Sequence, residues 1–304
     1  MSPKILRGNL YLGALILTVS TGLLISGCGF MQIWFYCFAW WSTILILDSL
    51  NFRLEGSSLI SRSFKNFLIL AFVSVSVWLV FELYNLVLSN WSYHLPSERW
   101  IRWLGFFISF ATVIPALYEL ADFWKNLFPK NMKSGIFRKW GRISPNILIV
   151  TGAVSLILPL LIPRFAFPLI WIGFIFVLDP INYRKGRDSL LGDLRGGKGL
   201  RLWSWALAGL TAGILWELFN FWSGSHWVYS LPFFDFGKIF QMPVLGYLGF
   251  IPFALEIFTF LPLYRNMRNQ IKNHPWITAA VITGLLIFDG LVFYLIDIHT
   301  WIKI

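Results

Sequence analysis

Apolar residues run through this chain in long blocks, and short basic segments separate the blocks. A helix that crosses a bilayer needs about 20 mostly apolar residues. The stretches that qualify are 8–27, 29–50, 64–88, 100–124, 146–163, 165–180, 200–223, 243–264 and 276–297. The pattern therefore predicts an all-α integral membrane protein with about nine transmembrane helices. The fifth and sixth stretches are short and sit beside Pro159, Pro163 and Pro168. Membrane helices tolerate such prolines where neighbours satisfy the freed backbone groups.

Polar residues break this pattern in a way that recurs. Phe81-Glu82-Leu83-Tyr84-Asn85, followed by Trp91-Ser92-Tyr93-His94-Leu95-Pro96, is matched by Trp216-Glu217-Leu218-Phe219-Asn220 and then Trp227-Val228-Tyr229-Ser230-Leu231-Pro232. The match extends further. Trp40, Asp48, Asn51, Arg53 and Ser58 have counterparts 131 residues on, at Trp171, Asp179, Asn182, Arg184 and Ser189. The offset grows to 135 at the two glutamates and 136 at Trp91 and Trp227, and reaches 137 where Pro115 and Glu119 match Pro252 and Glu256. A slowly drifting offset is what small loop insertions leave in a duplicated unit. The expected organisation is a four-helix repeat over 1–124, a basic linker over 125–145, a second four-helix repeat over 146–264, and a basic loop with a ninth helix over 265–304. Four spans per unit is an even number, so the two repeats point the same way, related by an axis along the membrane normal.

Composition agrees with the hydropathy pattern. The 304 residues are 57% hydrophobic and only 13% charged, whereas soluble domains carry about 25% charged residues. The net charge of +11 invites a nucleic-acid reading, but the placement of the charges argues against it. With the N-terminus inside, 20 of the 25 Lys and Arg residues fall in inner segments, beginning with Lys4 and Arg7. That asymmetry predicts a multi-pass protein of the inner (cytoplasmic) membrane, N-terminus inside and C-terminus outside, with basic loops facing anionic lipid headgroups. Membrane lipids are the expected partners, and nucleic acid is not. Leu24-Ile25-Ser26-Gly27-Cys28 also resembles a lipoprotein signal; the repeat gives the first span an internal counterpart, so an uncleaved first helix is expected. Cys28 and Cys37 form no paired or metal-ligating pattern. No metal and no cofactor is expected.

An ionisable group at membrane depth is by default a candidate functional residue. Glu82 and Glu217 lie near the outer ends of the third and seventh spans, with Asn85 and Asn220 one turn later on the same face. An amide can donate a hydrogen bond but supplies no charge, so a neutral carboxyl, the form a general acid needs, is the expected state. Glu82, Glu217, Asn85 and Asn220 are therefore the candidate catalytic set. Trp91, Tyr93, Trp227 and Tyr229 are the candidate substrate-binding residues, because aromatic faces can stabilise a developing cation. A second cluster, Asp48, Asp179, Glu119 and Glu256, is expected at the inner side. There Asp48 and Asp179 stand five residues before Arg53 and Arg184, placed for loop-orienting ion pairs. His94 and His226 occupy non-equivalent positions, and the glycine-rich run 192–199 reads as a flexible inner loop without phosphate-loop spacing. On the seventh span Gly209, Gly213 and Glu217 fall four apart, a stripe that predicts close packing against another helix.

The duplicated order of Phe81-Glu82 or Trp216-Glu217, then Trp91-x-Tyr93 or Trp227-x-Tyr229, then Pro115-x-x-x-Glu119 or Pro252-x-x-x-Glu256 resembles the integral-membrane, non-flavin lycopene cyclases, heterodimeric or fused. Members of that family are tandem repeats of membrane helices whose acidic residues are thought to protonate a polyene. The family's Leu-Pro-x-Glu-Glu has no counterpart here, where the second copy reads Gln241-Met242-Pro243-Val244-Leu245-Gly246. The resemblance implies an enzyme acting on an apolar isoprenoid-type lipid by proton transfer from intramembrane glutamate. The alternative is a transporter or structural subunit in which the paired Glu and Asn residues line a path or clamp the two halves together.

Overall fold

The computed structural model describes residues 3–233 and 235–304, with side chains from residue 8 onward, so the side chains of Lys4 and Arg7 lie outside the described residues. Thirteen helices are described: α1 (Pro3–Ile25), α2 (Gly29–Glu55), α3 (Leu59–Arg62), α4 (Phe64–Leu88), α5 (Arg99–Phe110), α6 (Val113–Leu127), α7 (Pro145–Leu161), α8 (Pro163–Ala166), α9 (Ile170–Arg184), α10 (Leu190–Arg195), α11 (Leu200–Trp222), α12 (Phe250–Ile271) and α13 (Pro275–His299). Among the described residues, eight helical segments are long and apolar enough to cross a membrane. The segments 99–127, 163–184 and 244–271 are each assembled from shorter helical pieces. The fifth expected span corresponds to α7, which has 17 residues and meets the preceding 3-10 turn (Gly135–Arg142) at 98°; counting this bent pair brings the number to nine.

The fold is not wholly helical. Strands β1 (Trp91–Leu95), β2 (His226–Tyr229) and β5 (Trp301–Lys303) form a sheet in the order β2-β1-β5, and β3 (Lys238–Ile239) pairs with β4 (Met242–Pro243). The sheet lies at one end of the bundle, where α4, α11 and α13 finish. The opposite end gathers charged residues, with Arg62 on Asp122, Lys125 on Glu55 and Arg201 on Asp188. The Trp-x-Tyr segments are strands. Trp91 and Tyr93 are buried while Ser92 and His94 are less so, a period of two that a turn does not have.

Three sets of contacts bring the two halves of the chain together. Trp40 packs on Trp216 with ring centroids 5.5 Å apart, and Trp171 stacks on Phe81 at 5.4 Å. β1 pairs with β2 antiparallel. The glycine stripe on α11 packs as its spacing predicts: a Cβ at Gly209 would meet the Phe250 carbonyl oxygen of α12 at 2.2 Å, and one at Gly213 would meet the Phe250 ring. At the sheet end, Arg102 on α5 and Asp297 on α13 form a buried ion pair at 2.7 Å, and Arg102 also lies over the Trp301 ring. The sequence patterns had not singled out this pair, because each residue stands alone near the end of an apolar run.

Gly209→Ala should destabilise the protein by about 1–3 kcal/mol through overpacking. Gly284→Ala on α13, where nothing lies within 4 Å, should leave it unchanged. Thermal midpoints of the detergent-solubilised variants, read by size-exclusion, decide the point; equal midpoints would contradict the packing.

Candidate functional site

The site begins with the ends of α4 and α11. Asn85, in the last turn of α4, donates from Nδ2 to the Trp91 carbonyl at 2.8 Å, and its Oδ1 accepts from the backbone amides of Asn90 and Trp91. Asn220 does the same on α11, donating to the Trp227 carbonyl and accepting from the Trp227 amide. Each amide therefore satisfies backbone groups where helix gives way to strand, which is costly to leave undone at a buried helix end. Asn85 and Asn220, grouped with the glutamates in the candidate catalytic set, bond backbone and not the carboxyls.

With the turns fixed, the strands present their aromatic side chains to the acids. Glu82 is fully buried, and its Oε1 accepts from the Trp78 indole at 2.8 Å, the Trp91 indole at 3.2 Å and the Tyr93 hydroxyl at 2.5 Å. Trp91 also reaches Oε2 at 3.3 Å. Glu217 is equally buried, but only the Tyr229 hydroxyl bonds it, at 2.9 Å to Oε1. Among the described residues, Oε2 of Glu217 has no partner in strict bonding geometry, and the Trp227 indole and Gln241 backbone amide are donors close enough to interact weakly with the carboxyl. The difference traces to one position. Trp78 stands one turn before Glu82, and Gly213 stands one turn before Glu217. Burial first, then the facing Glu82 or Glu217 carboxyl, holds the Tyr93 and Tyr229 phenols well above a tyrosine's ordinary pKa, so both remain hydrogen-bond donors.

The same aromatics wall a cavity of about 180 Å³ beneath the sheet, lined mainly by apolar groups including Trp78, Trp91, Tyr93, Trp216, Trp227 and Tyr229. All four candidate substrate-binding residues line it. Glu82 and Glu217 stand behind its wall, each one hydrogen bond from a lining side chain. Trp78 was not among the candidates from sequence; its position one turn before Glu82 was the available signal. Both acids bond within their own half of the chain, each tying its helix to the strand that follows.

The strand register has a symmetry of its own. Trp91 faces Tyr229, Ser92 faces Val228 and Tyr93 faces Trp227. Residues 136 apart in sequence thus exchange places about the Ser92·Val228 pair. The non-equivalent His94 and His226 come face to face, with parallel rings 5.2 Å apart. Burial, and then His226, lowers the His94 pKa. Among the described residues, no group of three or more His, Cys, Asp or Glu could hold a metal ion.

The second cluster lies away from this cavity. Asp179 accepts the Leu190 and Leu191 amides at 2.7 Å, capping α10, and Asp48 accepts the Ile60 amide of α3 at 2.8 Å. Neither aspartate ion-pairs with the arginine five residues on, among the described residues. Both are buried, whereas Arg184 reaches Asn146 instead. Glu119 accepts from Asn51 at 2.6 Å and from the Leu59 amide, and Glu256 accepts the Phe174 amide at 3.1 Å. Asp289 accepts the Ser76 hydroxyl and so ties α13 to α4. The run 192–199, read as a flexible loop, is instead the end of α10 and a turn bonded to residues 132–134.

No known protein family, curated protein or solved structure matches the chain.

The unequal bonding of the two acids has a measurable consequence. Glu82→Gln puts an amide NH2 among three donors and should cost about 1–3 kcal/mol. Glu217→Gln, with one donor to satisfy, should cost less than about 1 kcal/mol. Thermal midpoints in detergent test this, and equal losses would remove the distinction.

Proposed function

We propose that the protein is a membrane enzyme that takes one end of an apolar, isoprenoid-type lipid into the aromatic cavity and transfers a proton to it. The observation that carries this reading is the wall of indole and phenol groups, with a buried carboxyl held directly behind it in each half. Ligand pockets usually enclose about 300–1,000 Å³, so 180 Å³ suits the end of a long chain rather than a whole one.

The two acids take different parts. Glu82 has both oxygens occupied by donors and acts as a fixed acceptor that holds Trp78, Trp91 and Tyr93 in place. Glu217, with one close donor against the three on Glu82 among the described residues, is the more weakly held acid and is the proton donor, communicating with the cavity through Tyr229. Proton addition to a carbon–carbon double bond breaks the Tyr229 O–H, forms a C–H bond and leaves a carbocation, while the Glu217 carboxyl passes its own proton to the Tyr229 oxygen and becomes the carboxylate. The indole faces stabilise that cation, and the mainly apolar lining limits the approach of water. Loss of a proton from an adjacent carbon, through Tyr229 to the Glu217 carboxylate, restores the acid, so the net reaction is an isomerisation or cyclisation that needs no cofactor.

The chain is read as two four-helix repeats plus α13. Support comes from the drifting sequence offset, from the reciprocal packing of Trp40 on Trp216 and Trp171 on Phe81, and from the strand register about Ser92·Val228. The basic end is assigned to the cytoplasm on its Lys and Arg content, which places the N-terminus inside and the C-terminal strand outside.

Untargeted lipid and pigment mass spectrometry of cells expressing wild type or Glu217→Gln, at matched membrane levels, tests the reaction. A product present with wild type and lost with the variant is expected. Identical profiles would overturn proton transfer and favour transport or a structural role.

A further inference from the structure

A second hollow, of about 720 Å³, lies at the charged end of the bundle, opposite the sheet. It sits where α6 of the first half meets α11 and α12 of the second, and its floor is apolar: Trp205, Phe258 and Leu261 are buried core residues that line it. Six cations surround it, against three aspartates. Lys125 is engaged by Asp122, Arg201 by Asp188 and Asp193, and Arg265 by Asp188. Lys130 and Lys133 make no salt bridge among the described residues, and Lys198 lies within electrostatic reach of Asp193 without a close contact to it.

The backbone holds two of those lysines together. Lys133 and Lys198 face each other across an antiparallel bridge, flanked by hydrogen bonds from Ser134 N–H to the Gly197 carbonyl and from Gly199 N–H to the Met132 carbonyl. The approach is close enough that a Cβ at Gly199 would meet the Lys133 carbonyl oxygen at 2.2 Å. Like charges set opposite one another destabilise a strand pair, and an anion between them reverses the sign of that contribution. The same turn starts α11, 23 residues long, with no side-chain cap and no acid in its first turn. Its amide end therefore adds to the positive potential.

We propose that this hollow is a binding site for the phosphate headgroup of an amphiphilic lipid, the phosphate held between Lys133 and Lys198 with Lys130 beside them, and the first carbons of the chain on Trp205, Phe258 and Leu261. A fully ionic ligand would leave that floor uncovered, and an uncharged apolar one would leave the lysines unpaired. A phosphorylated lipid satisfies both. The site is separate from the aromatic cavity and does not depend on any chemistry there.

Native mass spectrometry of the full chain in detergent, titrated with farnesyl monophosphate, tests this. One molecule per chain whose binding depends on Lys133 and Lys198 is expected. Binding should be about tenfold weaker in Lys133→Ala/Lys198→Ala, since each lysine offers a charge-assisted contact. It should be retained in Lys133→Arg/Lys198→Arg and unchanged in Lys139→Ala/Lys185→Ala, which removes the same charge elsewhere at this end. Equal weakening in the last variant, or none in the first, would overturn the site. Farnesol binding as tightly as its phosphate and weakened equally by Lys133→Ala/Lys198→Ala would overturn the headgroup assignment, whereas farnesol binding untouched by that variant belongs to the aromatic cavity. Inorganic phosphate competing at the same concentration would show that free phosphate is the ligand and overturn the lipid part.

Discussion

The pairing of β1 with β2 is the contact on which the functional geometry depends. An extended segment at the edge of a bilayer exposes backbone donors and acceptors that lipid cannot satisfy, and neither short strand could stand there alone. Paired, they answer each other's backbone groups, and β5 covers the other edge of β1. Alternation along a strand then sends Trp91 and Tyr93 toward the acid and cavity side. Asn85 and Asn220 belong to the same device, because they fix the angle at which each helix releases its strand. A slip of one residue in register would exchange the aromatics for Ser92, His94 and Val228.

Much of the fold was legible because membrane helices announce themselves through length and apolarity alone. The boundaries at 64–88 and 200–223 fall within a residue of α4 and α11. The reading at 146–163 fell on a helix that is short and meets the preceding 3-10 turn at a sharp angle. Glycine spacing on α11 was informative because close backbone approach leaves few other residue choices at Gly209 and Gly213. The sheet was harder to see, since five residues of alternating burial between long apolar runs look like a turn unless the strand that pairs with them, 136 positions away, is considered too. The ion pair of Arg102 with Asp297 was invisible for a related reason: its partners are 195 residues apart and share no local pattern.

Site chemistry was legible by residue type and not by partner. Glu82 and Glu217 stood out as acids in apolar sequence, and Trp91, Tyr93, Trp227 and Tyr229 as recurring aromatics. Spacing suggested that each amide would serve the acid one turn away. Geometry instead gives the amides to the backbone and the acids to indole and phenol donors. The reason is physical: a buried carboxylate without a cation needs several donors, and the strand delivers them at the right depth. The inner aspartates follow the same economy, accepting helix-start amides in place of the arginines that solvent can satisfy.

Trp78 against Gly213 is the point at which two otherwise parallel arrangements part. A tryptophan one turn before the acid fills the space beside it and donates to it, leaving Glu82 with three donors. A glycine at the matching place admits the Phe250 ring instead, which has nothing to donate, and Glu217 keeps an oxygen without a partner in strict bonding geometry among the described residues. Satisfying a buried acid completely favours rigidity, and leaving one oxygen open favours proton exchange. In the proposed duplication, one copy could therefore hold the cavity wall while its twin was free to react, and a single tryptophan-for-glycine difference is sufficient to set those roles apart. On that proposal, the same duplication that places a Trp-x-Tyr strand from each half on the cavity also lets the halves diverge in chemistry.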